Sequence, residues 1–404
     1  MEHTNRTIRP LTQQDLEAYL DIYLNAYPAY KTLDEACREH YREKHRLELR
    51  EDRQVQTVGL FEGDVLIATM KLILFSMNCF GRMQTACGLM ALEVHPARRH
   101  GALLTLLLPF QISFYRRMGY GFAGKLYEYH LPTAVLPKPE GEARRHLHLL
   151  QPEDFDRVLA CHSRFAAQNH GMVEKFEEEV RAARADIQVR RIGYCADDGT
   201  LRGYVAYRFE SASDTNYTRN RLSVEELVYD DGVVLRALLG ALKLQEDLAQ
   251  TVLLRTGEED FHHLLEDPQD VSGNYIDYGF LQTNVSAIGT MFKLLDPAAF
   301  VTATAYRALP QGTLTAAFCY RDELAHRDCR TVLRFDGGRW SALLEEAPAE
   351  VTVTCRQGDL ASLLMASCGL ESMVRLGAVA VTGPWQQLAQ LLHYGQKPWL
   401  NSDY

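Results

Sequence analysis

The sequence lacks an apolar run long enough to cross a membrane. Its most apolar uncharged run, Gly101–Tyr115, contains Pro109 and falls short of the roughly 20 residues that a bilayer requires. Residues 1–25 carry acidic and basic side chains throughout, so they also lack the apolar core of a secretory signal. We therefore expect a protein that has no membrane partner and is located in the cytoplasm.

The sequence also lacks paired cysteines. The nine cysteines are spread singly from Cys37 to Cys368 and form no CxxC motif, which argues against a disulfide framework or a zinc ribbon. His326 and Cys329 form an isolated HxxC, and His262 stands beside another histidine without a cysteine partner. We expect reduced thiols and no metal.

An excess of basic residues is absent as well. The 43 Lys and Arg residues are outnumbered by 53 Asp and Glu residues, which gives a net charge of -10. Nucleic-acid binding depends on basic side chains that displace counterions, so we exclude nucleic acid as a partner. The acidity suits a cationic small molecule, although it is equally explained by solubility.

What the sequence does contain indicates a folded protein of several domains. It has 404 residues, of which 47% are hydrophobic and 24% charged. Residues 11–16 are echoed by residues 150–155, and each stretch leads into an amphipathic helix pattern, which indicates a duplicated strand and helix unit. Prolines follow residue 131, and the pattern changes again near Ile288. We predict domains at 1–133, 134–287 and 288–404, the first two α/β and the last α+β.

One segment has the features of a phosphate-binding turn. Residues 92–102 predict a strand that ends in a basic, glycine-containing turn. A free strand edge can pair with the amides of a pantetheine arm, and a helix N-terminus can receive pyrophosphate on its unpaired N–H groups. Arg98 and Arg99 add attraction for phosphate, although a solvated turn would carry arginines too.

A tyrosine-containing segment follows at residues 114–121, with the sequence FYRRMGYG. A phenol has a pKa of about 10, so Tyr115 stays protonated at neutral pH and can donate a proton to a departing thiolate. The alternative is an amphipathic-helix tyrosine with its hydroxyl at the surface. We take Tyr115 as the candidate general acid.

These segments, together with residues 291–297, the helix pattern beginning at Asp359 and the ending 399–404, resemble the Eis-like family of GNAT acetyltransferases over essentially the full chain. The resemblance implies two tandem GNAT-like domains, of which the second has no cofactor site, and a C-terminal domain similar to sterol carrier proteins. It also implies acetyl-CoA as cosubstrate, N-acetylation of amines such as aminoglycosides, and a hexamer. The implied catalytic base is the C-terminal carboxylate of Tyr404. The implied cofactor-binding residues are Leu92, Glu93, Val94, Arg98, Arg99, His100, Gly101, Ala102, Phe110 and Gln111.

The segment departs from the family pattern after the basic turn. A helix is expected there, yet Leu103–Leu108 already reads as the next strand, and parallel neighbours need a crossover of roughly a dozen residues. Either the protein has lost this helix or its natural chain has residues there that the printed sequence omits. A competing hypothesis is therefore a non-catalytic, degenerate GNAT protein that binds an apolar ligand or a protein partner.

Overall fold

The computed structural model describes residues 6–26, 35–51, 54–90, 101–138, 141–273, 275–277 and 279–399. The described strands are β1 (Arg6–Pro10), β2 (Val55–Glu62), β3 (Val65–Cys79), β4 (Arg82–Met90), β5 (Leu104–Leu107), β6 (Gly121–Phe122), β7 (Lys125–Pro132), β8 (Leu147–Leu149), β9 (Arg190–Cys195), β10 (Leu201–Ser211), β11 (Asn220–Tyr229), β12 (Ala249–Thr256), β13 (Val285–Ile288), β14 (Met291–Leu294), β15 (Leu314–Asp322), β16 (Arg327–Asp336), β17 (Arg339–Leu343), β18 (Val351–Thr354) and β19 (Ala380–Thr382). The described α-helices are α1 (Leu16–Ala26), α2 (Glu35–Glu51), α3 (Ile112–Arg117), α4 (Phe155–Gln168), α5 (Glu177–Ala185), α6 (Gly232–Lys243), α7 (Pro297–Ala303), α8 (Gln357–Leu364), α9 (Leu370–Arg375) and α10 (Trp385–Leu392).

The strands form three sheets, which we number in chain order. The first has the order β1-β2-β3-β4-β5-β14-β6, the second β13-β7-β12-β11-β10-β9-β8 and the third β17-β16-β15-β18-β19. Helices pack on all three, and the prediction of a mixed α/β and α+β fold is confirmed. None of the described helices is both long enough and apolar enough to cross a membrane.

The sequence echo corresponds to a repeated local structure. Thr12 and Asp15 form a capping box over a 3-10 turn that leads into α1, and Gln151 and Asp154 do the same ahead of α4. In each box the acidic side chain accepts a hydrogen bond from the backbone N–H of its partner, which satisfies a donor that the helix start would leave unpaired. The two units therefore begin with the same chemistry.

Two strands pair with strands on the other side of a predicted domain boundary. Strand β7 belongs to the second sheet, where it pairs with β12 and β13, although the boundary was placed after residue 133. Strand β14 lies beyond residue 287 but pairs with β5 and β6 in the first sheet. Backbone pairing in a sheet is set by tertiary neighbours rather than by sequence order. The sheets do not separate at residues 133 and 287, and the domain division at those residues stays a prediction.

The first and third sheets share one hydrophobic core. Phe75 and Phe292 from the first sheet belong to the same buried cluster as Phe300, Phe318 and Trp340 from the C-terminal region. All five side chains are less than 5% exposed. The C-terminal region therefore cannot separate from the first unit without exposing much apolar surface to water.

A buried arginine lies at this junction. The guanidinium of Arg307 is fully buried and donates to the carbonyl oxygens of Leu364 at 3.2 Å and Leu392 at 2.7 Å. It also lies over the rings of Phe80, 4.2 Å from the centroid, and Trp340, at 4.6 Å. Burial lowers its pKa to about 9. The cation ties the β3–β4 turn of the first unit to the C-terminal region.

Candidate active site

Tyr115 lies in the short helix α3, which directly follows β5. Its side chain is 5% exposed and belongs to a buried cluster with Leu89 of β4 and Leu107 of β5. Its ring meets Phe110 at 5.3 Å and Phe114 at 5.1 Å between centroids, in both cases edge to face. These contacts hold the phenol at the ends of β4 and β5, so the ring itself is not on the protein surface.

A second tyrosine lies beneath it. Tyr120 is 1% exposed, its ring centroid is 6.0 Å from that of Tyr115, and its hydroxyl is 2.9 Å from the hydroxyl of Thr105 on β5. Burial raises the pKa of Tyr120 well above its usual value. The sequence analysis did not single out this pair, because Thr105 reads as an ordinary strand residue. The hydrogen bond between Thr105 and Tyr120 holds in place the ring against which Tyr115 packs.

Strands β4 and β5 stay together over a short distance only. They pair in parallel from Ala86 and Leu104 to Gly88 and Leu106. Beyond Gly88, β4 continues to Met90 with pairing to β3. Backbone N–H and C=O groups at such strand ends require partners, and an extended ligand arm with its own amides can supply them. The parallel pairing of β4 and β5 thus ends close to Tyr115.

The structure describes only part of the predicted cofactor site. Leu92, Glu93, Val94, Arg98, Arg99, His100 and the predicted base Tyr404 lie outside the described residues. Gly101 has φ +73°, a conformation that favours glycine, and space is open on its Cβ side. Ala102 is buried in the cluster that contains Tyr115, whereas Phe110 is 76% exposed. Gln111 is exposed, and its carbonyl oxygen accepts the N–H of Phe114 at 3.1 Å.

The tyrosine segment also serves as a packing surface for the C-terminal region. A Cβ added at Gly121 would lie 1.8 Å from the carbonyl oxygen of Gly358 in α8, and one at Gly119 would meet the side chain of Gln357. Arg116 donates to Asp359 in the same helix at 2.9 Å. The glycines of the FYRRMGYG stretch are thus required by helix α8, a role that sequence reasoning did not assign to them.

The last described residues form a strap over the second unit. We call Gln396–Trp399 the strap. The backbone N–H of Trp399 donates to the carbonyl oxygen of His170 at 2.7 Å. The carbonyl oxygen of Pro398 would be 2.9 Å from a Cβ on Gly124, which links β6 to β7. The strap therefore runs close to the end of the first sheet before the chain continues to residues 400–404.

The thiols near the core are poor nucleophiles. Burial raises the pKa of Cys79, Cys87 and Cys161 to about 12. A thiol with such a pKa is almost entirely protonated at neutral pH and does not attack a thioester readily. Within the described ranges, no group of three or more His, Cys, Asp or Glu side chains could hold a metal ion.

Comparisons with known proteins identify one segment of the chain. Residues 170–281 match the family described as acetyltransferase (GNAT) domain, and this range lies in the second unit, from the end of α4 to beyond β12. No curated protein matches the sequence. The chain therefore carries a GNAT acetyltransferase domain, the domain of an acyl-transferring enzyme.

Solved structures extend the similarity to the whole chain. A conserved protein from Enterococcus faecalis V583, described as a probable N-acyltransferase, is 15% identical with a TM-score of 0.77 and covers 99% of this chain and 100% of its own. A GCN5-related N-acetyltransferase from Kribbella flavida is 18% identical with a TM-score of 0.72, at coverages of 99% and 98%. Eis1 from Mycobacterium abscessus is 18% identical with a TM-score of 0.71, at coverages of 99% and 100%. At these identities the likeness establishes the fold.

Proposed function

We propose that this protein is an acetyl-CoA-dependent N-acetyltransferase that acts on amines of small cationic substrates such as aminoglycosides, by direct acetyl transfer. The observation that carries the proposal is the position of Tyr115, held in the core where β4 and β5 end. The resemblance to the Eis-like family implies an amine substrate, and the net charge of -10 suits a cationic one. Burial raises the pKa of the Cys79 and Cys87 thiols, which makes both poor acyl acceptors and favours direct transfer.

The residues present fit a pantetheine-carrying cosubstrate. Gly101 leaves open space on its Cβ side, and the ladder between β4 and β5 ends at Gly88. In the proposal, residues 92–94 pair with the amides of the arm, residues 98–102 contact the phosphates, and Phe110 and Gln111 border the arm. Acetyl-CoA supplies an acetyl thioester, whose transfer to an amine forms a C–N bond, breaks the C–S bond and moves one proton from nitrogen to sulfur overall.

Two protein groups handle the protons in this proposal. Tyr115 donates its phenolic proton to the departing sulfur, since a phenol is protonated at neutral pH. The α-carboxylate of Tyr404 accepts the proton of the attacking amine and attracts its positive charge. An unperturbed α-carboxyl has a pKa of about 3.5, so desolvation or a relaying water is needed to make it an effective base.

The test is amine-dependent release of free thiol from acetyl-CoA. We expect release with an aminoglycoside present, and its loss when Tyr404 is deleted. Calorimetric titration with acetyl-CoA, on protein verified by intact mass, accompanies the assay. If no heat appears at millimolar acetyl-CoA, the proposal is wrong and the non-catalytic hypothesis, with an apolar ligand or protein partner, replaces it. An intact mass above 45.9 kDa would show that the natural chain contains residues in addition to these 404.

Four further parts of the proposal concern the domains, the location and the assembly of the protein. The second unit is a GNAT-like domain without a cofactor site, the C-terminal region is similar to sterol carrier proteins, and the protein is cytoplasmic. The protein also assembles into a homo-oligomer, proposed as a hexamer. The exposed side chains of Tyr275 (83%) and Leu281 (68%) supply apolar surface for such contacts. Light scattering on the purified protein tests the assembly, and a monomer mass would contradict it.

A further inference from the structure

The second unit contains a pair of parallel strands that stop pairing part-way along their length, as β4 and β5 do at the candidate active site. Strands β11 and β12 are parallel and joined by α6, and their ladder runs from Asn220 to Val224 on β11. Beyond Val224, β11 continues to Tyr229 along β10, while β12 continues to Thr256 along β7. The two strands therefore diverge beyond Val224. We call the space between their diverging ends the second cleft.

The second cleft is occupied by the strap. A Cβ added at Gly257, directly after β12, would lie 2.5 Å from the Cδ1 atom of Trp399. The indole centroid is 6.1 Å from the ring of Tyr229, the last residue of β11, and 5.3 Å from the ring of Phe165 in α4. Trp399 thus contacts the ends of both strands. Only a glycine at position 257 leaves room for its ring.

The strap is also bound through polar groups. The amide of Gln396 accepts the backbone N–H of His170 at 3.0 Å and donates to the side chain of Asn169 at 3.0 Å. Pro398 packs on Gly171, where an added Cβ would lie 2.7 Å from the Cα atom of the proline. Together with the bond from the Trp399 N–H to the His170 carbonyl, these contacts fix both the path and the direction of the strap.

The helix that follows the second cleft is capped by its own chain. The carboxylate of Asp231 accepts the N–H groups of Val233 at 2.9 Å and Val234 at 3.0 Å at the start of α6. An incoming phosphate would have to displace this negative charge, because the helix start has only a few unpaired N–H donors. The Asp231 carboxylate thus disfavours a phosphate at the start of α6, and the indole of Trp399 fills the space at the strand ends.

We infer that the second cleft is the receptor for the C-terminal strap of the same chain, with Trp399 as its anchor. Trp399 is also a positioning residue for Tyr404, a role that rests on the proposed function. The last five residues span at most about 18 Å when extended, so the place where Trp399 docks limits where the terminal carboxylate can lie. The indole Nε1 has no hydrogen-bond partner within the described part of the chain. The apolar surface of the ring therefore accounts for the docking, and phenylalanine should replace it better than alanine.

The anchor is tested by digesting the intact protein with carboxypeptidase Y and following the mass. In the natural protein we expect digestion to stop before Trp399, and in Trp399→Ala to continue through the strap. Trp399→Phe should restore much of the protection. Lys397→Ala is the matched control, because the Lys397 side chain is 63% exposed and its ion pair with Glu259 lies at the surface. Free digestion of the natural protein past Trp399 would overturn the inference, whether or not the protein is an enzyme.

The positioning role of Trp399 is measured separately, by kinetics. In Trp399→Ala we expect kcat to fall about 100-fold, as small misplacements of reacting groups do, while KM for acetyl-CoA stays within about twofold. Trp399→Phe should recover most of kcat. If Trp399→Ala loses its protection but retains full kcat, the strap does not position Tyr404. If the natural protein releases no thiol at all, the proposed function is at fault, and the digestion result still decides the anchor.

Discussion

Replacing Tyr115 by phenylalanine is expected to lower kcat by about 100-fold to 10,000-fold, the usual contribution of a general acid. The exchange removes only the hydroxyl, so the edge-to-face contacts with Phe110 and Phe114 remain. KM for acetyl-CoA should change little, because the hydroxyl acts on sulfur in the transition state rather than on the bound cosubstrate. Initial rates of amine-dependent thiol release, at saturating and limiting acetyl-CoA, measure both quantities.

Two other tyrosines serve as controls for this experiment. Tyr217→Phe removes a hydroxyl from a side chain that is 89% exposed in the second unit, and we expect the natural rate. Tyr120→Phe breaks the hydrogen bond to Thr105 and should lower the urea midpoint more than the rate. A full rate in Tyr115→Phe together with a large loss in Tyr120→Phe would transfer the acid role to Tyr120.

Replacing Lys175 by methionine is expected to lower the free energy of unfolding by about 3 to 5 kcal/mol, the range for breaking a buried ion pair on one side. Lys175 lies 3.0 Å from Glu226 and 2.7 Å from Glu179, and all three side chains are at most 16% exposed. Glu226 also accepts a hydrogen bond from the hydroxyl of Tyr204 at 2.6 Å. Without the ammonium group of Lys175, the carboxylate of Glu226 would be left buried without its main counter-charge. Urea unfolding at neutral pH measures the loss.

The pH dependence gives this prediction a sign. Burial alone would raise the pKa of Glu226, but Lys175 and then His162 outweigh it and hold that pKa below its usual value. Burial lowers the pKa of His162 to about 4, so Lys175 is the main cation at neutral pH. The depressed pKa of Glu226 contributes stability above its unfolded value of about 4.3, and this contribution is lost as the pH falls through the folded pKa.

In Lys175→Met the pKa of Glu226 should rise, because the largest influence that opposes burial has been removed. Protonation at mildly acid pH relieves the buried charge, so the stability difference from the natural protein should shrink between pH 7.5 and pH 5. Lys175→Met combined with Glu226→Gln should lose less than Lys175→Met alone. The control is Arg145→Met, since Arg145 and Glu142 are 70% and 83% exposed and such pairs contribute little. Equal losses for Lys175→Met and Arg145→Met would contradict the prediction.

Part of the candidate site could be read from the sequence because its signals are local. Tyr115 was predicted from a short stretch, and the structure places its ring in the core beside the end of β5. The strand at Leu104–Leu107 was predicted within one residue at each end. The catalytic and cofactor roles assigned to Tyr115, Gly101, Ala102, Phe110 and Gln111 stay predictions, as do those of the residues outside the described ranges.

Other parts of the site could not be read in this way. Thr105 and Tyr120 are 15 positions apart in the chain, and nothing in either neighbourhood indicates that their hydroxyls meet. The partners of Gly121 and Arg116 come from α8, more than 200 residues later. Trp399 has a glycine partner at position 257 that reads as an ordinary loop residue.

The sequence by itself determined which local units this protein has. Strands and helices are specified by local signals: the hydrophobic period, the capping residues, and the repeated start at residues 11–16 and 150–155. These signals act over a few residues, where neighbours in sequence are also neighbours in space. Only the tertiary structure decided how the units combine. It placed β7 in the second sheet and β14 in the first, formed one core between the first and third sheets, and laid the strap against the ends of β11 and β12. Those contacts join residues far apart in sequence, and they depend on burial and shape at the places where separate elements meet.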